Sequence, residues 1–359
     1  MKTNKLLLDQ RVSYWDNFKG ALIALVVIGH CLISCWDNRL IRYIVEAIYF
    51  FHMPAFVFVS GYFSKSENSR SARSLLRLIS AYLLFTVVNL IMSLINGHNL
   101  SISEPYNSLW YLLALIGWRL MTPVFSKTKW SIWVFVALAL FAGLWHDVNN
   151  QFAFSRLIAF YPFFLAGFFF SKERFEKLTQ ISALKRIPIG ALCLATAAIL
   201  AFFSAKTLQL KQGDFVFEAY SRTFMPHLLG RISIFAVASI CIIGLLFLMP
   251  QKNIPLLTKP GRNSLAIFLF HRPITFAMES LVVGFSTEVL LLYAAGFTFV
   301  VCAVFGSDFV STQLNKALSC LADILLHVGD RSKYRWQKII LLLIMFALLS
   351  LPLINDIIR

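Results

Sequence analysis

Charged side chains are scarce in this 359-residue chain: 14% of residues are Asp, Glu, Lys or Arg, against about 25% in an ordinary soluble domain. Acids are the scarcer sign, 17 against 33 bases. The six cysteines, Cys31, Cys35, Cys193, Cys241, Cys302 and Cys320, form no C-x-x-C and have no His at metal-ligand spacing beside them. They read as small apolar residues, and no metal site or disulfide framework is expected. No A-x-A site follows the first apolar run, which starts only at Phe18 and carries a His, so no cleavable signal is expected and the first span reads as retained. There is no internal repeat and no low-complexity tract. What remains is apolar: 58% hydrophobic residues, 35 Phe and 8 Trp, with a mean hydropathy of +0.73. Together these exclude a soluble globular domain. A net charge of +16 would suggest a nucleic-acid partner in a soluble protein, but here it is read through its distribution between loops, and no nucleic acid is expected.

Apolar runs of membrane-spanning length recur along the chain. Eleven are predicted: 18 to 35, 43 to 63, 75 to 95, 109 to 125, 130 to 145, 152 to 170, 187 to 203, 228 to 249, 264 to 283, 289 to 305 and 339 to 354, of which the fifth and seventh are short. With the amino terminus inside, Lys and Arg number 24 in inner segments and 8 in outer ones, with Arg272 left inside a span. The positive-inside rule then predicts a cytoplasmic amino terminus in the cell (inner) membrane and an outer carboxyl terminus. The expected architecture is an all-α transmembrane bundle of about ten or eleven spans, a single domain over 1–359. Two connections are more than turns. Outer residues Ser204 to His227 carry Lys206, Lys211, Arg222 and His227 among aromatics, a composition suited to sugars or anionic headgroups and equally to a solvated loop. Inner residues Phe309 to Val328 have the spacing of an amphipathic surface helix.

Ionisable side chains inside spans are costly, so each is a candidate site. His30, His52, His271 and Arg272 are the main cases. Lys19 precedes His30 by eleven residues, within ~20° of three full turns, so both share one stripe of the first span about 16 Å apart. His52, on the antiparallel second span, falls at a similar depth, so two imidazoles could share a pocket. Pro54 frees the carbonyl of Phe50, a candidate acceptor for a buried His. The competing reading of a lone intramembrane His is a helix-to-helix hydrogen bond; it stays open for His52 and His271 and is weaker for His30.

The blocks Asp16-Asn17-Phe18-Lys19-Gly20, Val26 to His30, Phe51-His52-Met53-Pro54-Ala55-Phe56 and Ser60-Gly61-Tyr62-Phe63 resemble the opening of the membrane-bound acyltransferase-3 family. Arg77 to Tyr82, Leu109-Trp110-Tyr111-Leu112 and Gly261-Arg262-Asn263-Ser264-Leu265 before His271 resemble its later blocks, so the likeness runs from 16 to about 305, leaving the 339 to 354 span beyond it. The overall texture is most similar to the fucose 4-O-acetylase-related branch. The resemblance implies about ten spans and O-acetyl transfer from cytosolic acetyl-CoA to hydroxyls of surface or exported glycans or lipid-linked sugars. Membrane lipids and polysaccharide-assembly proteins are its expected partners. It implies that His30, paired with Lys19, is catalytic. It also implies a paired-arginine motif at the third span, matched here by Arg70 and Arg73 or by Arg73 and Arg77. Two departures stand out: Ala81 replaces the usual Pro before Tyr82, and Phe268 or Phe270 replaces the tyrosine expected before the late His.

Acyl transfer from a thioester to an alcohol needs a base, oxyanion stabilisation and a cationic cradle for the donor's phosphates. His30 is the candidate base because imidazole titrates near neutrality, with His52 orienting it or acting as second acid or base. Lys19, Arg70, Arg73 and Arg77 are the candidate donor-binding cations, with Arg119 nearby, since Arg suits forked phosphate contacts. Trp110, Arg222 and His271 are candidates for the acceptor side. A covalent acyl-serine route lacks a G-x-S-x-G, Ser60 has no base in its own segment, and no H-x-x-x-D box surrounds His30. Asp16 is expected to cap the first helix and pair with Lys19. The alternative from another class is a transporter or flippase whose His and Arg residues line a pathway, although the inverted repeats of such proteins are not visible.

Overall fold

The computed structural model describes residues 2–95, 107–142, 153–208, 224–282 and 284–327, and among them every regular element is a helix. The chain runs through α1 (Lys2–Leu32), α2 (Arg39–Phe63), the short α3 (Glu67–Arg70) and α4 (Ala72–Ile95). After these come α5 (Trp110–Phe125), α6 (Ser131–Ala142), α7 (Phe154–Phe169), α8 (Lys172–Gln180) and α9 (Ala183–Leu208). The last described elements are α10 (Phe224–Leu248), α11 (Pro255–Arg262), α12 (Ser264–Met278), α13 (Thr287–Phe305) and α14 (Asp308–Leu326). Ten of the eleven predicted runs are therefore helical. The eleventh, 339 to 354, lies outside the described residues.

Length and composition make six of these helices able to cross a bilayer, or seven if α7 and α8 count as one span bent by 76°. The protein is a multi-pass membrane protein. Of the two runs expected to be short, the fifth is short as α6 and the seventh is not. The seventh run is a full 26-residue helix, whereas α5, α6, α7 and α12 have 16, 12, 16 and 15 residues. At ~1.5 Å per residue the described part of α6 rises about 18 Å. The apolar run containing α7 continues to Phe170, but the polar segment after Ser171 turns away, with the Ser171 hydroxyl accepting from the Arg174 N–H at 3.2 Å. The expected amphipathic segment is α14, which buries Leu314, Leu318, Ala322 and Ile324.

Helices in lipid gain no hydrophobic free energy by associating with one another, so close backbone approach and internal polar contacts carry the packing. At the α2–α7 crossing, a Cβ on Gly61 would stand 1.9 Å from the Phe164 carbonyl oxygen and one on Gly167 1.8 Å from that of Phe58. Only glycine fits there. α1 meets α11 in the same manner, with Gly261 over the Asp16 carbonyl and Gly20 over that of Leu257. The Asn17 side-chain amide adds hydrogen bonds to the carbonyls of Pro250 (3.0 Å) and Lys252 (2.7 Å). The first and late sequence blocks thus form one joint at the end of the bundle where α1 enters.

Asp16 does not cap α1. The helix begins at Lys2, because no Gly or Pro interrupts the chain before Gly20, and Asp16 lies in its interior. Its pairing with Lys19 holds, at 2.9 Å, and Arg262 approaches its other oxygen at 3.9 Å.

Candidate active site

Three helices bring four titratable rings together inside the bundle. The His30 ring of α1 lies 5.2 Å from that of His271 on α12, and its Nδ1 is 3.5 Å from the Tyr49 hydroxyl on α2. The Tyr49 ring is 4.9 Å from that of His52, one turn further along α2. His52 and Arg272 are close enough to His30 to act on it electrostatically, and Arg156 and Arg272 act likewise on Tyr49. The pocket expected for two imidazoles holds three, and His271 is the one whose ring meets His30. Tyr49 stands between His30 and His52.

Proton positions follow from the partners. Nδ1 of His52 faces the Ile48 carbonyl at 2.7 Å, and Nδ1 of His271 faces those of Phe268 (2.8 Å) and Ile267 (3.1 Å). A carbonyl only accepts, so Nδ1 carries the proton in both rings and the neutral ring presents Nε2 as an acceptor. Nε2 of His271 is buried and has no hydrogen-bond partner among the described residues. The Phe50 carbonyl, freed by Pro54, is not the acceptor for His52. A helical side chain leans back over the preceding turn and so reaches the carbonyl four residues earlier.

Lys19 and His30 both turn toward α2. The Lys19 ammonium lies 5.4 Å from the centre of the Phe63 ring, at the end of α2, and His30 faces Tyr49 near the middle of the same helix. Gly29 permits this approach, since a Cβ there would stand 3.0 Å from Cε2 of Tyr49.

The arginines divide into two groups. Arg73 is bonded to Asp323 of α14 at 2.7 Å and Arg77 to Asn315 of α14 at 2.7 Å, so both are committed to the surface helix. Arg70 and Arg119 instead line a cavity of about 280 Å³ with Ser64, Ser69, Thr122 and Phe168. Arg70 donates to the Lys65 carbonyl at 2.6 Å, and Arg119 to the Ser74 hydroxyl at 3.1 Å and the Ser69 carbonyl at 3.2 Å. Nε of Arg119 is buried with no hydrogen-bond partner among the described residues, which suits an anionic guest. Neither expected register pairs the two cavity arginines. Arg119 comes from a different helix, and only its place near the end of the fourth apolar run hinted at it.

A line of contacts, polar and then aromatic, joins this cavity to the rings. Ser64 donates to the Ser60 carbonyl at 2.7 Å, and the Ser60 hydroxyl is 2.5 Å from that of Tyr111. Tyr111 packs on Phe268 at 5.3 Å, and Phe268 on His271 at 5.9 Å. Among the described residues Ser60 has no imidazole partner; its hydroxyl donates to the Phe56 carbonyl at 2.9 Å. Trp110 is buried, stacked on Phe160 at 5.1 Å with Arg156 5.0 Å from its ring. Arg222 lies outside the described residues. Among those described, no group of three or more His, Cys, Asp or Glu is placed to hold a metal ion.

Tyr49 was missed by sequence reasoning. Its one signal was position: it precedes His52 by three residues and so shares its helical face.

Residues 12–307 match the acyltransferase domain family known as acyltransferase-3. Among curated proteins the chain is similar to nodulation protein NolL of Sinorhizobium fredii, 29% identical over 205 residues, 52% of this chain and 55% of the relative. It is also similar to nodulation protein NolL of Mesorhizobium japonicum, 27% identical over 181 residues, 44% of this chain and 47% of the relative. The chain thus spans about half the length of the curated relatives it matches. No solved structure matches it.

Proposed function

The chain belongs to the acyltransferase-3 family and is a membrane acyltransferase; from that premise we propose that it moves an acetyl group from acetyl-CoA to a hydroxyl of a glycan or lipid-linked sugar, with His30 as general base. The observation that carries this reading is the meeting of His30, Tyr49, His52 and His271 from three helices in the bundle interior. A transport pathway explains a single buried imidazole as well, but not the family.

In this reading the Tyr49 oxygen accepts the Nδ1 proton of His30, as carbonyls do for the other two rings, which leaves Nε2 of His30 to take the proton of the attacking hydroxyl. The acceptor oxygen bonds to the thioester carbonyl carbon. The resulting oxyanion is opposed by the Arg272 charge. On collapse the C–S bond breaks, and the departing sulfur takes the proton from His30, giving the ester and free coenzyme A. His271 and His52 hold the site's polar character without becoming donors toward the base.

The donor's phosphates fit the cavity of Arg70 and Arg119, at the end of the bundle that carries Lys19. From Ser64 back to His52 along α2 is twelve residues, about 18 Å, and the pantetheine arm follows this line past Ser60 and Tyr111. With the amino terminus cytoplasmic in the inner membrane, acetyl-CoA enters from the cytosol and the acceptor from the opposite face. Sealed vesicles of known orientation test this arrangement. Transfer is expected when acetyl-CoA is supplied on the Lys19 side and the acceptor glycan on the other, with free coenzyme A released on the donor side. Transfer only with both on one face would overturn it. Mass spectrometry of surface glycans from cells with the wild type, with His30→Ala or without the protein then identifies the acceptor.

A further inference from the structure

A second cavity, of about 500 Å³, lies between α6, α7 and α10, away from the four rings. Its walls are apolar, with Phe58, Trp133, Phe163, Phe170, Ile242 and Leu246 among them. Two cations stand on its rim: Lys129, just before α6, and Arg174, in the first turn of α8. Both belong to the ends of their helices on the Lys19 side of the bundle, and the 76° bend between α7 and α8 sets Arg174 beside a groove that α7 helps to form. Both side chains are exposed, and neither has an acidic partner among the described residues, although Lys172 on the same helix takes Glu176 at 3.4 Å. Trp130 and Trp133 are exposed at the same level, where indole rings mark the boundary between headgroups and acyl chains.

A groove that is apolar along its length and cationic only at its mouth is complementary to a molecule of the opposite build. We propose that this cavity is a specific site for an anionic diacyl phospholipid of the leaflet on the Lys19 side. The phosphate sits between Lys129 and Arg174, and an acyl chain lies against Phe163, Ile242 and Leu246. From Phe163 to Phe170 the wall rises about 10 Å, a third of a ~30 Å core, so the site takes the headgroup-proximal part of a chain and leaves the rest in the bilayer. A soluble phosphate would use the two cations but gain nothing from the aromatic wall. The proposal is independent of the catalytic reading, since it shares no residue with the rings or with the Arg70–Arg119 cavity.

Each basic side chain near a charged membrane surface contributes about 1 kcal/mol, so two yield a preference of up to about thirtyfold for an anionic over a zwitterionic lipid. The full-length protein in detergent, titrated with dioleoyl phosphatidylglycerol and separately with dioleoyl phosphatidylcholine, is read by native mass spectrometry. The wild type is expected to retain one phosphatidylglycerol with a ten- to thirtyfold preference. The double variant Lys129→Gln with Arg174→Gln is expected to bring the two lipids within threefold of each other while its melting temperature stays unchanged. Ile242→Trp, which fills the groove and leaves both cations, is expected to weaken both lipids at least fivefold. Retention of the preference in the double variant would overturn the proposal. So would displacement of the lipid by inorganic phosphate at a concentration that leaves phosphatidylcholine binding untouched, or undiminished binding in Ile242→Trp.

Discussion

The role of Tyr49 can be isolated by one atom. Tyr49→Phe keeps the ring that lies over Gly29 and beside His52, and removes only the oxygen that faces Nδ1 of His30. Without it, a buried N–H loses its acceptor, which costs about 1–3 kcal/mol. At 1.36 kcal/mol per tenfold in rate, that is a loss of about 5- to 150-fold if the whole effect falls on the base. The 3.5 Å separation is long for a hydrogen bond, so the smaller end applies and a loss of about tenfold is expected. If the oxygen serves turnover as proposed, and because it lies far from the Arg70–Arg119 cavity, kcat for acetyl transfer in reconstituted vesicles should fall while KM for acetyl-CoA stays within twofold. Protein level and membrane insertion should match the wild type because no packing surface is lost, and the melting temperature should fall by no more than a few degrees. A variant with kcat within twofold of the wild type would refute the reasoning, as would a rise in KM with kcat intact.

Further outcomes follow from the same geometry. His30→Ala is expected to lower acetyl transfer by about 10²- to 10⁴-fold, the range of general-base catalysis, with membrane insertion preserved on fractionation. Arg119→Gln is expected to raise KM for acetyl-CoA about tenfold with little change in kcat, whereas Arg73→Gln, whose wild-type side chain is committed to Asp323, should change KM less than threefold in the same assay. Gly61→Ala forces a methyl group into the Phe164 carbonyl and is expected to destabilise the protein by about 1–3 kcal/mol, lowering its melting temperature in detergent by several degrees.

Much of this protein is legible in its residue order, because membranes impose simple rules. Apolar runs bounded by charge mark ten of the described helices, and the spacing of Phe309 to Val328 marks α14. An imidazole inside such a run has to be explained, which singled out His30, His52 and His271 before any contact was known. Spacing also placed Lys19 and His30 on one stripe, and both do turn toward α2. These readings depend on one helix at a time, and a single helix is governed by local periodicity.

Whatever depends on how helices meet was beyond that reach. Periodicity says which residues share a face but not which neighbour that face meets, so the approach of the His271 ring to His30 could not be read from the sequence. Tyr49 is one of many aromatics in an apolar run until α1 packs beside it. Arg70, Arg73 and Arg77 are alike in composition, yet α14 engages two of them and leaves Arg70 to a cavity shared with Arg119. Residue order alone determined the helices, the family and the ring on which the chemistry is argued to turn. The tertiary structure decided the partners of that ring, because interhelical contacts arise from close packing at a few glycines and polar joints, and these act across the chain rather than along it.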